Sequence, residues 1–301
     1  MRRGILLTAL VVAACCVPAG AQDERQVQTI DTGGARALGM GNAFTALADD
    51  IEAILWNPAG LARLESRQAG FVEAVGSDAK KMRFVGYAQP DKEAPGGALS
   101  YLRVSDDTYA LSETSLSYTF AQNWSDRLSV GANVRYSRLK RREQAHEIFN
   151  TDVGLLCDLT PTATLGVAVL NVLSPRLMEA DRVSATQELP RLKAPRLVNA
   201  GITFRFQPYV EGGRLGVAPR RYRTTVGLEL FDATDQWRRE LRFGVEQRVG
   251  SRLVARAGLL SSAPTVGLTA RVQGFDVSAG TVFARSGGHT GETMLRVSTE
   301  Y

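Results

Sequence analysis

Residues 128–137 read Leu128-Ser129-Val130-Gly131-Ala132-Asn133-Val134-Arg135-Tyr136-Ser137. From Leu128 to Tyr136 every second residue is apolar or aromatic, and the residues between them are polar or glycine. Successive side chains of a β-strand point to opposite faces of the sheet. The stretch therefore predicts a strand that has one apolar face and one polar face.

The same alternation recurs along the rest of the chain, from Gln68 to Tyr301. Together with weaker segments near 69–75, 81–89 and 96–105, it predicts about fourteen strands of about nine to eleven residues, a length that crosses a bilayer when tilted. We therefore expect an all-β fold, a transmembrane antiparallel β-barrel. The further apolar series lie at 116–120, 153–159, 165–169, 198–206, 222–230, 241–245, 253–259, 266–272, 275–279 and 295–301.

Charged side chains occupy many of the positions between these apolar residues. In a membrane barrel they face the lumen, whereas in a soluble two-sheet sandwich they face solvent. The hypothesis of a soluble binding protein with a two-sheet sandwich fold does not explain the number of predicted strands. The barrel interpretation assigns these charges to the lumen: Arg135, Glu229, Arg242, Glu246, Arg256 and Arg271.

Glycine recurs on the same predicted inward face, about once in each strand. Because glycine weakens a strand, its repetition indicates either tight curvature of the wall or another backbone lying close to it. The two interpretations are compatible. The glycines concerned are Gly131, Gly154, Gly166, Gly227, Gly244, Gly258, Gly267 and Gly280.

The predicted connections alternate between short turns and longer loops, which is typical of outer-membrane barrels. Two connections break the alternation, since 207–221 is long where a turn is expected and 261–263 is short where a loop is expected. The short turns lie at 123–126, 160–162, 250–251 and 273–274, and the long loops at 140–149, 173–195, 232–238 and 285–290.

The first residues have the features of a secretory signal peptide. A basic start, a short apolar run and Ala19-Gly20-Ala21 before Gln22 predict Sec export with cleavage after Ala21. The alternative is a lipobox at 12–15, which would make Cys15 a lipid-bearing N-terminus. With cleavage after Ala21, Cys157 is the only remaining cysteine, so no disulfide is expected within the mature chain.

Composition and motifs argue against several function classes. The net charge of +5 is modest and the arginines are scattered, so nucleic acid is not expected as a partner. Gly39-x-Gly41 has Phe44 in place of a third glycine, and His146 and His289 have no partners at metal spacing. No nucleophile motif is present, so we expect no enzyme activity, no metal and no cofactor.

The segment before the strands is too rich in glycine and alanine to form a core of its own, so it must pack against something larger. Within it, Asp49-Asp50 predict the start of a short helix over 51–56, which Pro58 then ends. An unpaired buried charge is costly, so we expect Arg36 and the two aspartates to pair with inward charges of the barrel.

This segment resembles the N-terminal region of the PorV/PorQ group, within the larger FadL-like superfamily. The resemblance is carried by Ala35-Arg36-Ala37-Leu38-Gly39-Met40-Gly41-Asn42-Ala43-Phe44, then Ala48-Asp49-Asp50, then Trp56-Asn57-Pro58-Ala59-Gly60-Leu61. It extends to the stretch from Leu189 to Gly201 and to the terminal strand at 295–301, which is similar to the assembly signal of outer-membrane barrels.

The resemblance implies an outer-membrane barrel with an N-terminal hatch in its lumen. The expected domains are a signal peptide at 1–21, the hatch at 22–64 and the barrel at 65–301. The residues of this chain that match the hatch motif are Gly39, Gly41, Asp49, Asp50, Asn57, Pro58 and Ala59.

Two functions follow from the resemblance. PorV-type members act in type IX secretion, with secreted proteins or secretion machinery as partners, and FadL-type members pass hydrophobic small molecules through a lateral opening. The predicted polar lumen favours the secretion function, and transport of hydrophobic small molecules is the alternative. Outer-membrane lipid and lipopolysaccharide are expected partners in either case. The basic run at 138–142 is interpreted as a solvated cap at the end of a strand, with contact to lipopolysaccharide phosphates as the alternative.

Overall fold

Fourteen strands with this alternation close into an antiparallel barrel in the computed structural model. Each strand pairs with its neighbours along the chain, and β1 closes the ring by pairing with β18. The expected fold class is thereby confirmed. The structure describes residues 33–75, 80–92, 95–107, 110–142, 144–173, 176–178, 181–182, 188–189, 192–194, 196–209, 221–232, 240–283 and 291–301.

The barrel strands are β1 to β7 and β12 to β18, and four short strands lie between β7 and β12. The strands are β1 (Gln68–Val75), β2 (Lys80–Gln89), β3 (Gly96–Asp106), β4 (Leu111–Ser125), β5 (Leu128–Arg141), β6 (Gln144–Thr160), β7 (Ala163–Leu170), β8 (Arg176–Met178), β9 (Asp181–Arg182), β10 (Glu188–Leu189), β11 (Leu192–Lys193), β12 (Leu197–Tyr209), β13 (Arg221–Phe231), β14 (Glu240–Val249), β15 (Leu253–Leu260), β16 (Ala263–Val272), β17 (Phe275–Val282) and β18 (Thr293–Glu300).

Closure joins the two ends of the barrel sequence. In the register of β1 and β18, Phe71 lies opposite Val297, and the pairing continues into Arg67 and Tyr301, whose backbones exchange hydrogen bonds of 3.2 and 3.1 Å. A closed ring leaves no unpaired strand edge. We call the end of the barrel that carries Tyr301 and the turns at 126–127, 161–162 and 273–274 the turn end, and the opposite end the loop end.

The two faces of the wall differ as the alternation predicts. On β5, Val134 points outward with 52% of its surface exposed, whereas its neighbours Asn133 and Arg135 are buried on the inner face. On β16, Leu268 is exposed and Thr269 is buried. The apolar faces therefore cover the outside of the barrel.

One long loop of the prediction is wrong. The segment 140–149 was expected as a loop, but β5 runs to Arg141 and β6 begins at Gln144, with Arg138 opposite Glu147. Its outer face carries Arg138, Lys140 and Glu147 and its inner face carries Leu139, so the polarity of the two faces is the reverse of that in the rest of β5, although its backbone groups pair like those of any antiparallel ladder. The short connection predicted at 261–263 is confirmed, because β15 ends at Leu260 and β16 begins at Ala263.

Other predicted features fall partly or wholly outside the described residues. These are the signal peptide at 1–21 with Cys15, the loops at 233–239 and 284–290, and the connection at 210–220. The predicted loop at 173–195 contains β8 to β11, which form two small two-stranded sheets.

Three short helices precede the barrel: α1 (Ala35–Gly39), α2 (Ala53–Trp56) and a 3₁₀ helix (Pro58–Arg63). The helix predicted at 51–56 is shorter than expected, because the Asp50 side chain accepts a hydrogen bond from the Glu52 backbone and holds 51–52 as a turn. Among the described residues, no helix is long and apolar enough to span a membrane.

Candidate functional site: the segment inside the barrel

Residues 33–64, which we call the inner segment, touch strands around the whole barrel. A β-carbon built on Gly166 would lie 2.5 Å from the Cα of Ala46, and one on Gly267 would lie 2.9 Å from the Cα of Gly39. A chain that contacts strands on all sides of a closed ring lies within it. Wall glycines with a neighbour from the inner segment are Gly70, Gly86, Gly96, Gly131, Gly154, Gly166, Gly201, Gly227, Gly244, Gly258, Gly267 and Gly280.

The absence of a side chain on the wall is therefore a packing requirement. The backbone of the inner segment follows the glycines so closely that even a methyl group would collide with backbone atoms at several positions. Gly41 has a further reason to be glycine, because its φ of +62° lies in the left-handed region and a β-carbon there would meet the backbone of Phe243 and Leu259.

Asn57 anchors the second half of the inner segment. Its side-chain NH₂ donates to the carbonyls of Thr45, at 2.9 Å, and Leu155 on β6, at 3.2 Å. Its side-chain oxygen accepts from the backbone N–H of Ala59, at 3.1 Å, and so caps the 3₁₀ helix that starts at Pro58. Three of the residues that match the hatch motif thus act together in one turn.

Glu229 anchors the first half. One oxygen of its buried carboxylate accepts the backbone N–H groups of Phe44 and Thr45, at 2.8 and 2.7 Å. These are charge-assisted hydrogen bonds, which are stronger than neutral ones. They fix the bend of the inner segment against β13.

A network of charges joins the inner segment to the wall. Nη1 of Arg36 lies 2.6 Å from Asp49 and 3.1 Å from Asp50, and its Nε lies 2.8 Å from Glu246 on β14. Glu246 also pairs with Arg256 on β15 at 2.7 Å. Arg36 therefore links carboxylates of the inner segment to one of the wall.

Arg296 on β18 closes the network from the other side. Its Nη1 lies 2.6 Å from Asp50 and 3.2 Å from Glu52. Glu52 is fully buried and also accepts the backbone N–H groups of Arg36 and Ala37, at 3.2 and 3.0 Å. The carboxylate of Glu52 thus satisfies the free N–H groups at the start of α1 while it pairs with the wall.

The network sets the ionisation of the inner segment. Burial alone would raise the pKa of Asp50, but the charges of Arg296 and Arg36 outweigh it and hold that pKa below its ordinary value. For Glu52, burial and the nearby Asp50 outweigh Arg296 and raise the pKa of its carboxyl. Burial opposes the charge of Arg36, yet its three carboxylate partners raise the pKa of the guanidinium well above its usual range.

One sector of the interior is apolar, which the sequence analysis did not expect. Its members are buried, lie on the inner faces of β1 to β4 and β18, and pack against Ile51, Ile54, Leu55 and Trp56 of the inner segment. We call these wall residues the apolar sector: Val72, Met82, Phe84, Ala88, Ala98, Leu102, Val104, Ala121 and Met294.

The signal for the apolar sector was present in the sequence. On β2, Met82 and Phe84 alternate with Lys81 and Arg83, which points the apolar residues inward and the charges outward. This is the reverse of the pattern in the other strands, so β2 and β3 read as weak strands.

A polar cavity of about 910 Å³ lies at the turn end, below the inner segment. Arg36, Asp49 and Asp50 form part of its lining. Its wall includes Arg63, Asp158, Arg205, Arg271, Asp276 and Glu300. The ionic network therefore forms part of the wall of this charged cavity.

The predicted lumen charges divide into two groups. Glu229, Glu246 and Arg256 belong to the contacts just described, whereas Arg135, Arg242 and Arg271 interact within the wall. Arg135 lies 3.4 Å from Asp152, Arg242 stacks 3.6 Å above the ring of Phe231, and Arg271 lies 2.8 Å from Asp276. Glu52 and Arg296, which the site prediction left out, are central to the network.

Comparisons with known proteins agree with the barrel. No family model matches the sequence, and no curated protein matches it. The solved structure of the toluene transporter TbuX of Ralstonia pickettii is similar, with a TM-score of 0.63, 12% identity, and coverage of 91% of this chain and 99% of that one. A FadL homologue of Pseudomonas aeruginosa has a TM-score of 0.59, 11% identity, and coverage of 90% and 98%.

The toluene transporter TodX of Pseudomonas putida is also similar, with a TM-score of 0.57, 11% identity, and coverage of 90% of this chain and 98% of that one. At such low identities the likeness concerns the fold. The chain thus has the barrel fold of FadL-type proteins.

Proposed function

We propose that this protein is an outer-membrane channel for hydrophobic small molecules, and that its inner segment closes the passage. The apolar outer faces support the membrane placement, because alternate residues of such strands meet lipid. The named functions of the similar barrels, toluene transport among them, support the class of substrate. Sec export through the signal peptide at 1–21 belongs to the same proposal.

The apolar sector is the observation that carries this function. Across β2 and β3, Met82 lies opposite Val104, Phe84 opposite Leu102, and Ala88 opposite Ala98, so the apolar surface runs from the loop end toward the turn end. Ile51 of the inner segment reaches this side of the wall, where it is the neighbour of Gly70 and Gly86, and Ile54, Leu55 and Trp56 of helix α2 belong to the same buried cluster. If the inner segment shifts, this surface can bind an apolar molecule in place of the helix, because burying apolar area drives such binding.

The polar part of the interior has a different role in the proposal. Asn57, Glu229 and the ionic network hold the inner segment at β6, β13 and β18. Asn57 and Glu229 bind to strands outside the apolar sector, and the network borders the sector at Arg296, which lies opposite Val72 in the register of β1 and β18. These contacts can therefore hold the inner segment from the polar side of the passage. We infer that the hatch comprises residues 22–64, of which 33–64 are described.

Secretion-associated protein binding, as in PorV/PorQ members, stays a prediction. Its support is the motif at 35–61 together with the dense packing of that motif against the wall. A protein that acts as a rigid scaffold for partners requires such packing. The test of this second function is deletion of the gene for this protein in its own organism. Loss of secreted proteins from the cell surface would favour this second function.

Uptake of radiolabelled toluene tests the proposed channel. The protein is produced in a Gram-negative host whose own channels for hydrophobic compounds are deleted. We expect faster uptake than with the empty vector, and several-fold less with Leu102→Gln, which places an amide in the apolar sector.

Thr225→Gln is the matched control, because Thr225 is buried on the inner face of β13, outside the apolar sector. Its uptake should equal that of the native chain. Native uptake no faster than the empty vector, with a folded barrel in the outer-membrane fraction, would overturn the proposal.

A further inference from the structure

The outer wall carries a continuous apolar row across its first six strands. Its members are consecutive neighbours in the register of β1 to β6 and point outward. The rings of Tyr136 and Phe149 pack 5.1 Å apart at its end. The apolar row consists of Phe71, Val85, Tyr101, Leu116, Tyr136 and Phe149.

Basic side chains follow this row directly on its loop-end side. Arg83, Arg103 and Arg138 lie two residues beyond Val85, Tyr101 and Tyr136 on the same strands, which is about 7 Å along a strand. Lys81 and Lys140 lie one further step out. All five are exposed, and we call them the outer basic patch.

The register brings these residues together on the wall. Arg83 is directly opposite Arg103, and Thr114 of β4 lies opposite both Arg103 and Arg138. Like charges directly opposite each other destabilise a sheet unless something neutralises them. The arrangement therefore favours a bound anion.

Acidic neighbours neutralise only part of the patch. Arg83 pairs with Glu73 at 2.8 Å and Lys81 with Asp107 at 3.1 Å, and the cationic side chains are 68% and 65% exposed, so these pairs are weak. Glu147 lies opposite Arg138 in the register of β5 and β6 and forms no ion pair with it at 4 Å or less. Within the described part of the chain, no ion pair is formed by Arg103, Arg138 or Lys140.

Among the residues that the structure describes, the patch occupies one side of the barrel. At the loop end of β14 to β18, the described outward positions of the strands hold uncharged residues: Leu241, Leu259, Pro264, Thr281 and Thr293. A rim that served only solubility would carry charge all round. The one-sided distribution instead indicates a particular partner.

We propose that the outer basic patch binds the phosphate groups of lipopolysaccharide in the outer leaflet, an inference that rests on the outer-membrane placement proposed above. Guanidinium groups suit phosphate oxygens through paired hydrogen bonds. The acyl chains of the same lipid lie along the apolar row, on Tyr101, Leu116 and Tyr136. The chemical order of the wall, apolar and then basic, matches the order of acyl chain and phosphate in this lipid.

The test measures binding of bisphosphorylated lipid A to the detergent-solubilised full chain by native mass spectrometry. The native chain should bind it at least about tenfold more tightly than dephosphorylated lipid A, since only the former makes charge-assisted contacts. The triple variant Arg103→Gln/Arg138→Gln/Lys140→Gln should lose this difference. The variant Lys92→Gln/Arg127→Gln/Arg252→Gln removes the same charge from exposed positions at the turn end and should keep it.

Equal binding of the two lipids by the native chain would overturn the proposal without any variant. Equal losses in both triple variants would do so as well, because they would indicate attraction by net charge alone. Full competition by inorganic phosphate would identify a free-anion site and contradict a lipid site. Toluene uptake is scored separately, so a chain that binds lipid A but does not take up toluene refutes the channel and leaves the lipid site standing.

Discussion

Asp50 and Arg296 are separated by 246 positions in the sequence, yet Oδ2 of Asp50 lies 2.6 Å from Nη1 of Arg296. Both side chains are about nine-tenths buried or more. The pair joins the inner segment to the last strand of the barrel, next to the contact that closes the ring. If the inner segment moves away from β18, the buried ion pair between Asp50 and Arg296 must separate, unless the segment bends while Asp50 stays in place.

Arg296→Gln should loosen the inner segment. The substitution leaves Glu52 buried without its cationic partner and leaves Asp50 with Arg36 alone, and the loss of one member of a buried pair costs about 3–5 kcal/mol. We expect faster cleavage of the inner segment in limited proteolysis. Arg271→Gln is the control, because its pair with Asp276 lies within the wall and joins β16 to β17, and cleavage of this variant should match the native chain. Equal protection of both variants would contradict the role of Arg296.

Gly166→Ala should destabilise the folded protein by overpacking. The new methyl group would meet the backbone of Ala46, and such overpacking costs about 1–3 kcal/mol. Thermal unfolding, followed by heat-modifiable migration in gels, measures the loss. Gly97→Ala is the control, since the nearest atom to its β-carbon would be 3.5 Å away. If Gly166→Ala melts at the same temperature as the native chain, the inner segment moves aside without cost and the overpacking prediction is wrong.

Val134→Arg tests the lipid-facing side of the wall. An arginine near the middle of the bilayer costs about 2–4 kcal/mol, falling to about 0–1 kcal/mol near the interface. Reversible unfolding from phospholipid vesicles should show the large loss for Val134→Arg and a small one for Gln122→Arg, which is outward near the turn end. Similar losses at the two positions would argue against a membrane around this face.

Asn133, the inward neighbour of Val134 on β5, would be a poor control for the Val134→Arg experiment. Its side chain donates to Asp152 at 3.0 Å and accepts from Thr119 at 3.1 Å, inside the barrel. Replacing it would leave buried polar groups unpaired, which is costly in its own right.

Removal of residues 33–64 should open the barrel to ions. The segment fills the interior and covers the wall glycines, so its loss would join the charged cavity at the turn end to the loop end. In planar bilayers the shortened chain should conduct, while the native chain conducts little. Equal conductance by both forms would place the closure elsewhere and remove the support for a hatch.

The sequence by itself determined the architecture of the wall. Alternation is a local property, since it depends only on the order of residues within one strand, and Leu128 to Tyr136 show it in nine residues. The inward glycines indicated either tight curvature of the wall or a second backbone near it, and the sequence did not decide between the two. Even for β5 the sequence predicted only the part up to Ser137, because the charged residues beyond it do not continue the pattern. The pairing with β6 extends the strand to Arg141.

Only the tertiary structure decided what the interior contains. Arg36 and Glu246 are 210 positions apart, and nothing local selects one glutamate over another as the partner. That choice depends on the register of fourteen strands and on the point where the ring closes. The place of the apolar sector was likewise decided only by closure. The alternation of Met82 and Phe84 with Lys81 and Arg83 is present in the sequence, but a strand of alternating residues fits with either face inside.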